Sequence, residues 1–231
     1  MTILCIETST NCCSAAITIE GQAVASKENL EGANHASELP IFIEQLLDTA
    51  REQGWRLDAV AFSQGPGSYT GLRIGAATAK GICYGLHIPL IPVDTLQIMC
   101  AAAKDQQSNI DGILCPMLDA RRMEVYTAMY QFNDLESLSK VEAKIIDEQS
   151  FCEELKKQKI YFFGNGAEKC KEIITHPNAH FLDNYRNPMA KNMMPLAERA
   201  WFDEKFEDIA YFEPFYLKNY VAAKPKDLLK I

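Results

Sequence analysis

Two stretches of this chain run through the same order of elements, and that repetition constrains the fold more than any single motif does. In the first, "ILCIETS" (Ile3–Ser9) reads as a buried strand, and "SAAITIEG" and "QAVASKEN" read as two more, joined at Glu20-Gly21. The period then changes. Leu39, Ile43, Leu46, Leu47 and Ala50 recur at helical spacing, with Ser37 as cap, Pro40 tolerable only in a first turn, and Gly54 as stop. "LDAVAFS" gives a strand, Gly71–Tyr84 a helix, "PLIPV" a strand and Thr95–Lys104 a helix. The second stretch starts at "DGILCPMLDARRMEVYTAMYQFN", which gives strand, turn and strand, and "KVEAKIID" supplies a third strand. "FCEELKKQ" reads as helix, "KIYFFG" as strand, "AEKCKEII" as helix, "AHFLDN" as strand and Pro195–Phe206 as a last helix. The letters "ILC" open both units, at Ile3–Cys5 and Ile113–Cys115. The expected class is α/β: two duplicated lobes of mixed β-sheet flanked by helices. The polar stretch "AKDQQSNIDG" divides a lobe over 1–106 from a lobe over 107–231, whose final segment is expected to pack back on the first.

With 231 residues, 48% of them hydrophobic, the chain can bury a substantial core. Its net charge of −8 and the lack of any long Lys/Arg run argue against autonomous nucleic-acid binding, which rests on neutralising phosphates. Eight cysteines, at 5, 12, 13, 83, 100, 115, 152 and 170, form no Cys-x-x-Cys pair, and several sit in apolar runs. They read as buried free thiols of a reducing, cytoplasmic setting, without a disulfide or zinc framework. No leader-like start and no apolar run of membrane-spanning length is apparent.

The stretch "SQGPGSYTGLRIGAATAKG" (Ser63–Gly81) poses the functional question. A phosphate-binding Walker loop ends in Gly-Lys-Ser/Thr, but here Gly71 is followed by Leu72 and Arg73. A dinucleotide fingerprint also fails, because Gly65-Pro-Gly67-Ser-Tyr-Thr70 misplaces the third glycine. A helix N-terminus here still leaves N–H groups open to an anion. Gly71, Gly75 and Ala79 are four apart and share one face, flanked by Ala76 and Thr78. Interior glycines cost a helix about 0.8–1.0 kcal/mol each, so a close backbone approach must offset them. Either the helix crosses its own sheet or a neighbouring helix, or it forms part of a subunit interface with the Leu39–Ala50 helix. On the second reading, Gly75→Leu leaves the fold intact and weakens pairing.

Several segments together resemble the TsaB (YeaZ) family, the accessory subunit of bacterial tRNA threonylcarbamoyladenosine synthesis. They are "ILCIETSTNCCSAAI", "HASELPIFIEQLL", "AFSQGPGSYTGLRIGAATAKGICYG", "PLIPVDTL", "MLDARRMEVYTAMY", "GNGA" and "YFEPFYL", spanning residues 3 to about 217. The resemblance implies an actin/Hsp70/sugar-kinase-like fold with a cleft between two lobes. It implies a non-catalytic subunit that binds a TsaD-type catalytic subunit, with a TsaE-type ATPase and tRNA joining only through that assembly, and with self-pairing of the free chain through the same surface. The partner-binding residues would be Leu39, Ile43, Leu46, Gly71, Leu72, Gly75, Ala76 and Ala79. The related TsaD carries a His-x-x-x-His metal motif after the strand matching "PLIPV". Thr95 and Met99 stand at those places here, and neither replaces an imidazole. No metal site and no catalytic residue is therefore expected.

Among the four histidines, His35, His87, His176 and His180, the last two are four apart but separated by Pro177 in an apparent loop. The superfamily's two phosphate loops correspond to Glu7-Thr8-Ser9-Thr10-Asn11 and Asp119-Ala120-Arg121-Arg122. Neither contains glycine, so side chains crowd the place of a phosphate. Gly164-Asn165-Gly166-Ala167 is left as a weak nucleotide candidate through Gly164 and Gly166, and no cofactor is otherwise expected. Asp119, Arg121, Arg122 and Glu124 read as an ion-paired turn, or as a cluster facing the cleft or a partner, in preference to an acid–base pair, because the arginines would hold both carboxylates charged. Asp94 reads as the cap of the Thr95 helix. Ser9, Ser63 and Ser68 have no histidine beside them and no Gly-x-Ser-x-Gly elbow. The late aromatics Tyr211, Phe212, Phe215, Tyr216 and Tyr220 read as packing, since a nucleic-acid platform needs interleaved cations and only Lys218 offers one. The competing functional reading is an ATP- or metal-dependent enzyme of the same superfamily, active in its own interlobe cleft.

Overall fold

The computed structural model describes residues 1–32, 34–107, 110–185 and 187–218. Ser108 and Asn109 of the boundary stretch, and Tyr220 of the aromatic run, lie outside the described residues. The first sheet is built from β1 (Thr2–Glu7), β2 (Cys13–Ile19), β3 (Gln22–Asn29), β4 (Ala59–Gly65) and β5 (Leu90–Asp94). Its spatial order is β3-β2-β1-β4-β5, antiparallel on the β2–β3 side and parallel on the β4–β5 side. β1 pairs Leu4 with Ile17 on one side and with Val60 on the other, so both flanks of the central strand are apolar.

Alternation along β1 assigns the two faces. Leu4 and Ile6 pack with α1 (His35–Gln53) and α2 (Tyr69–Leu86), against Leu39, Leu46, Ala76 and Ala79. Ile3 and Cys5 face the other way, into a cluster with Ile98 of α3 (Thr95–Gln106) and Ala197 of α5 (Met194–Phe202). The second sheet uses β6 (Ile113–Asp119), β7 (Glu124–Thr127), β9 (Glu142–Ile145), β10 (Ile160–Phe163) and β11 (Ala179–Leu182), with β8 (Tyr130–Gln131) pairing onto β6. Its order, β9-β7-β6-β10-β11, is third-second-first-fourth-fifth, as in the first sheet. The duplication expected from element order is present in the strand topology.

α3 joins the two halves. Its Ile98 belongs to the first lobe's cluster, while Leu96, Met99 and Cys100 pack with Leu114 and Leu118 of β6. A helix buried on both sides has no need of a polar stripe, and eight of its residues are buried.

Several boundaries differ from the sequence reading. α1 starts at His35 with Asn34 as its N-cap, and Ser37 lies inside, its hydroxyl donating to the Asn34 carbonyl at 3.1 Å. Pro40 is therefore beyond the first turn, and the carbonyl it leaves unbonded belongs to exposed Ala36. Gly54 does end α1, at φ 70°. "FCEELKKQ" shrinks to α4 (Cys152–Leu155) and "AEKCKEII" to a 3-10 turn at Glu168–Cys170. Lys156, Lys157 and Gln158 are exposed and give no apolar face to dock, and Pro177 closes the second segment. α5 stops at Phe202, four residues early, because Glu204 turns left-handed at φ 52°.

Candidate functional site

A cleft of about 750 Å³ lies between the lobes. Its walls are Ser9, Thr10 and Asn11 after β1, Gly67–Thr70 at the start of α2, Asp119–Arg121 after β6, Asn165, and Tyr216–Lys218 near the end of the described chain.

The first wall is tied to α2 by its own backbone. The Ser68 N–H donates to the Ser9 carbonyl at 2.7 Å, and the Thr8 hydroxyl donates to the Gly71 carbonyl at 2.8 Å. A Cβ on Gly67 would lie 2.4 Å from the Ser9 oxygen, and one on Gly71 would lie 2.0 Å from the Thr8 oxygen. The Ser9 carbonyl thus takes one of the donors that an anion would otherwise claim. Glu7, which ends β1, is fully buried. One carboxylate oxygen accepts the Ser9 N–H at 2.6 Å, and the other has no partner among the described residues. Burial pushes its pKa up to about 7, against hydrogen bonds from Ser9, Ser63 and Thr8 that favour the charged form. His35 sits behind this loop with Nε2 2.7 Å from the Thr10 carbonyl oxygen.

The opposite wall is a tight turn with Arg121 and Arg122 at φ 71° and 50°. The Glu124 N–H donates to the Arg121 carbonyl and the Ala120 N–H to the Glu124 carbonyl. The carboxylates are paired, but not by the arginines expected: Lys169 holds Asp119, and Lys218 holds Glu124. Both lysines are far away in sequence, so residue spacing could not reveal them.

The weak nucleotide candidates serve close approach within the chain. Gly164 has φ 112°, and a Cβ there would lie 2.2 Å from the Met117 carbonyl oxygen and 2.7 Å from the Met99 methyl. A Cβ on Gly166 would meet the Asp119 nitrogen at 2.9 Å, and its N–H donates to the Met117 carbonyl. Of this loop, Asn165 lines the cleft, and its side-chain oxygen accepts the Asp119 N–H at 2.8 Å. Gly164 lines a separate pocket of about 110 Å³.

A family model described as TsaD, tRNA N6-adenosine threonylcarbamoyltransferase, matches residues 29–226. The TsaB protein of Buchnera aphidicola subsp. Acyrthosiphon pisum, a tRNA threonylcarbamoyladenosine biosynthesis protein, is 34% identical over 193 residues, covering 77% of this chain and 84% of that protein. The chain belongs to this family, on its TsaB (YeaZ) branch. Escherichia coli TsaB is 29% identical over 228 residues, 97% of each chain. The structure of YeaZ from Pseudomonas aeruginosa superposes with a TM-score of 0.76 at 27% identity, covering 94% of this chain and 99% of that one. A second Pseudomonas aeruginosa structure, described as similar to peptidase YEAZ, gives a TM-score of 0.79 at 26% identity, with the same coverage. The pathway is thus that of tRNA threonylcarbamoyladenosine biosynthesis.

Thr95 and Met99, which the resemblance sets at the places of a histidine pair, both lie in the interior. Thr95 is wholly buried with its hydroxyl unpartnered among the described residues, and Met99 is buried with its methyl near Gly164. Among the described residues, no three His, Cys, Asp or Glu side chains converge in a way that could hold a metal. Asp94 caps α3 as expected, accepting the Leu96 and Gln97 N–H groups, and it also accepts the Tyr130 hydroxyl at 3.2 Å. Burial raises its pKa to about 6. His176 Nδ1 accepts the Asn178 N–H, and His180 stacks on Tyr161, so the pair is engaged locally. Seven cysteines are buried and Cys152 is half-buried, all as free thiols. Among the described residues, no helix is long and apolar enough to cross a membrane.

The eight residues assigned to partner binding all point inward. Leu39, Ile43 and Leu46 of α1 and Gly71, Leu72, Gly75, Ala76 and Ala79 of α2 are buried within the chain. A Cβ on Gly75 would lie 2.3 Å from the Thr8 hydroxyl, so Gly75→Leu probes folding and not pairing. The small-residue stripe lets α2 lie on its own sheet and on the Thr8 turn after β1, the intrachain alternative. The periodicity fixed which face is thin but not which neighbour it meets. The opposite face of α2 carries Gly81 and Gly85, exposed and with open space around an added Cβ, beside half-buried Ile74 and Thr78. Phe42 and Leu47 of α1 are half-buried in the same cluster as Ile74.

Proposed function

We propose that this chain is a non-catalytic subunit that binds a TsaD-type catalytic subunit for threonylcarbamoyl transfer to adenosine in tRNA. A TsaE-type ATPase and tRNA join through that assembly. The observation that carries this reading is the pair Thr95 and Met99: the places of a metal-binding histidine pair hold a buried hydroxyl and a core thioether. Neither donates to a hard or borderline cation as imidazole does. The crowded loops, with Ser9 O on the α2 N-terminus and Asp119 held by Lys169, also support it.

The surface we assign to the partner is the outward face of α1 and α2, with Ile74, Thr78, Gly81 and Gly85 as its flat strip and Phe42 as the adjoining ring. Glycines cost a helix stability, and these two are not needed for packing inside the chain, so an external backbone or side chain is what they admit. The free chain self-pairs through the same strip. Mixing the chain with a TsaD-type subunit and weighing the product by light scattering tests this. Gly81→Arg should keep the fold and weaken association about tenfold or more, by inserting bulk and charge into a packed contact. Full-strength association by the folded variant would overturn the assigned surface. The enzyme reading draws on the roomy cleft and the buried Glu7, and ATP hydrolysis by the lone chain would establish it instead.

A further inference from the structure

The end of the described chain returns to the first lobe and then reaches the second along one wall of the cleft. The Glu207 N–H donates to the Leu90 carbonyl at the edge of β5. Phe212 packs edge-on against buried Phe62, ring centroids 5.3 Å apart, and the Lys80 ammonium donates to the Phe212 carbonyl at 3.1 Å. The Phe215 N–H donates to the Gln64 carbonyl at 2.8 Å, and its own carbonyl lies where a side chain on Gly65 would stand. Tyr216 meets Tyr69 at 4.7 Å, and Lys218 reaches Glu124 of β7 in the other lobe, passing over the Tyr126 ring.

These attachments are uneven. Phe212 is anchored in the core cluster, whereas Lys218 and Glu124 are an ion pair with side chains 42% and 22% exposed. Tyr216, Leu217 and Lys218 form one wall of the cleft. We propose that residues 213–218 are a strap across the interlobe cleft, held at Phe212 and latched by Lys218 on Glu124, which must open for the cleft to admit an occupant. The cations near these rings could be read instead as a nucleic-acid platform. Each already has other work: Lys80 serves the Ala210 and Phe212 carbonyls just before the strap, Lys218 serves Glu124, and Arg73 lies over Tyr69.

The test uses the full chain with Lys218→Glu, Glu124→Lys and the double exchange. Amide hydrogen exchange at Phe215 reads the strap. A bulky maleimide reacting with Ala120→Cys, in a Cys152→Ser background, reads the cleft wall. Each single variant should raise both rates roughly threefold or more, the scale of an ion pair lost and replaced by like charges, and the double exchange should restore them. If Phe215 exchange accelerates while labelling at residue 120 does not, the segment does not cover the cleft. If neither rate moves, or the double exchange fails to restore them, Lys218 is not a latch. Either result overturns the proposal.

Discussion

The two lobes share a strand order but not the way that they dress it. Each starts from a central strand, adds an antiparallel pair on one side and a parallel pair on the other. Each sends its fourth strand out through Gly-x-Gly: Gly65-Pro66-Gly67 and Gly164-Asn165-Gly166. The first glycine of each pair has positive φ, 120° and 112°, and the second leans on the chain just after or at the end of the lobe's first strand. The difference lies in the helices. The first lobe keeps helices of 19 and 18 residues on one face, while the matching segments of the second are reduced to four residues and a three-residue turn. The duplication thus leaves one lobe with two long helices and the other with short turns in their place, while both lobes line the cleft.

The sharpest way to break the comparison is at the second glycine of each corner. At Gly67, a Cβ would sit 2.4 Å from the Ser9 carbonyl oxygen. At Gly166, the nearest atom would be the Asp119 nitrogen, at 2.9 Å. Backbone cannot swing aside as a side-chain tip can. Gly67→Ala should therefore cost about 3 kcal/mol and Gly166→Ala nearer to about 1 kcal/mol, the upper and lower ends of overpacking penalties. Urea unfolding of the two variants measures the gap. Equal costs would show that the corners are packed alike and that the resemblance between lobes extends to their energetics.

The carboxylates that end the two central strands give the next contrast. Asp119 is exposed and paired with Lys169, whereas Glu7 is fully buried with a pKa raised to about 7. Between the ordinary glutamate value of 4.5 and 7, the folded chain binds the proton and the unfolded chain does not. Stability from this group is therefore complete below 4.5 and is lost as pH rises through 7. Glu7→Gln keeps the acceptor for the Ser9 N–H and removes the titration. It should raise stability at pH 8 by about 2 kcal/mol, have little effect at pH 4.5, and flatten the slope between. A variant whose stability tracks the parent at every pH would show that Glu7 titrates normally.

The lobes also differ in how readily their sequence discloses them. The succession of strands along the chain was legible apart from the break between β7 and β8, because alternating and continuous apolar runs sit between Gly and Asx turns, and the repeat "ILC" marks both central strands. The first-lobe helices were legible from Leu39–Ala50 and from the small-residue spacing at Gly71, Gly75 and Ala79. The short helices of the second lobe were overread, since "EELKK" and "EKCKE" favour helix locally but bring too few apolar side chains to be held by the core. The site was less legible than the fold. The cleft segments Ser9–Asn11 and Asp119–Arg121 were singled out in sequence, but the small-residue stripe assigned to a partner is buried within the chain. A thin stripe has the same spacing whether it meets a sheet or another chain. Lys169 and Lys218 reach the Asp119–Glu124 turn, and Tyr216 reaches Tyr69, across 45 or more residues, and only tertiary structure brings them there. The burial of Glu7 was not anticipated, although a carboxylate closing a largely apolar strand was a local signal of it.

The smallest effect separates the two faces of α2. Gly81, on the outward face, has open space around a Cβ, unlike Gly71 and Gly75, which meet Thr8. Gly81→Ala should therefore stabilise the isolated chain by the helix-propensity difference, about 1 kcal/mol, or roughly 2–4 °C in Tm for a chain of this size. Calorimetry of the lone variant checks it. A rise in Tm shows that the glycine costs the isolated chain stability and has no packing role within it. A fall shows that Gly81 is already packed within the chain, and the division between an inward thin stripe and an outward flat strip is lost.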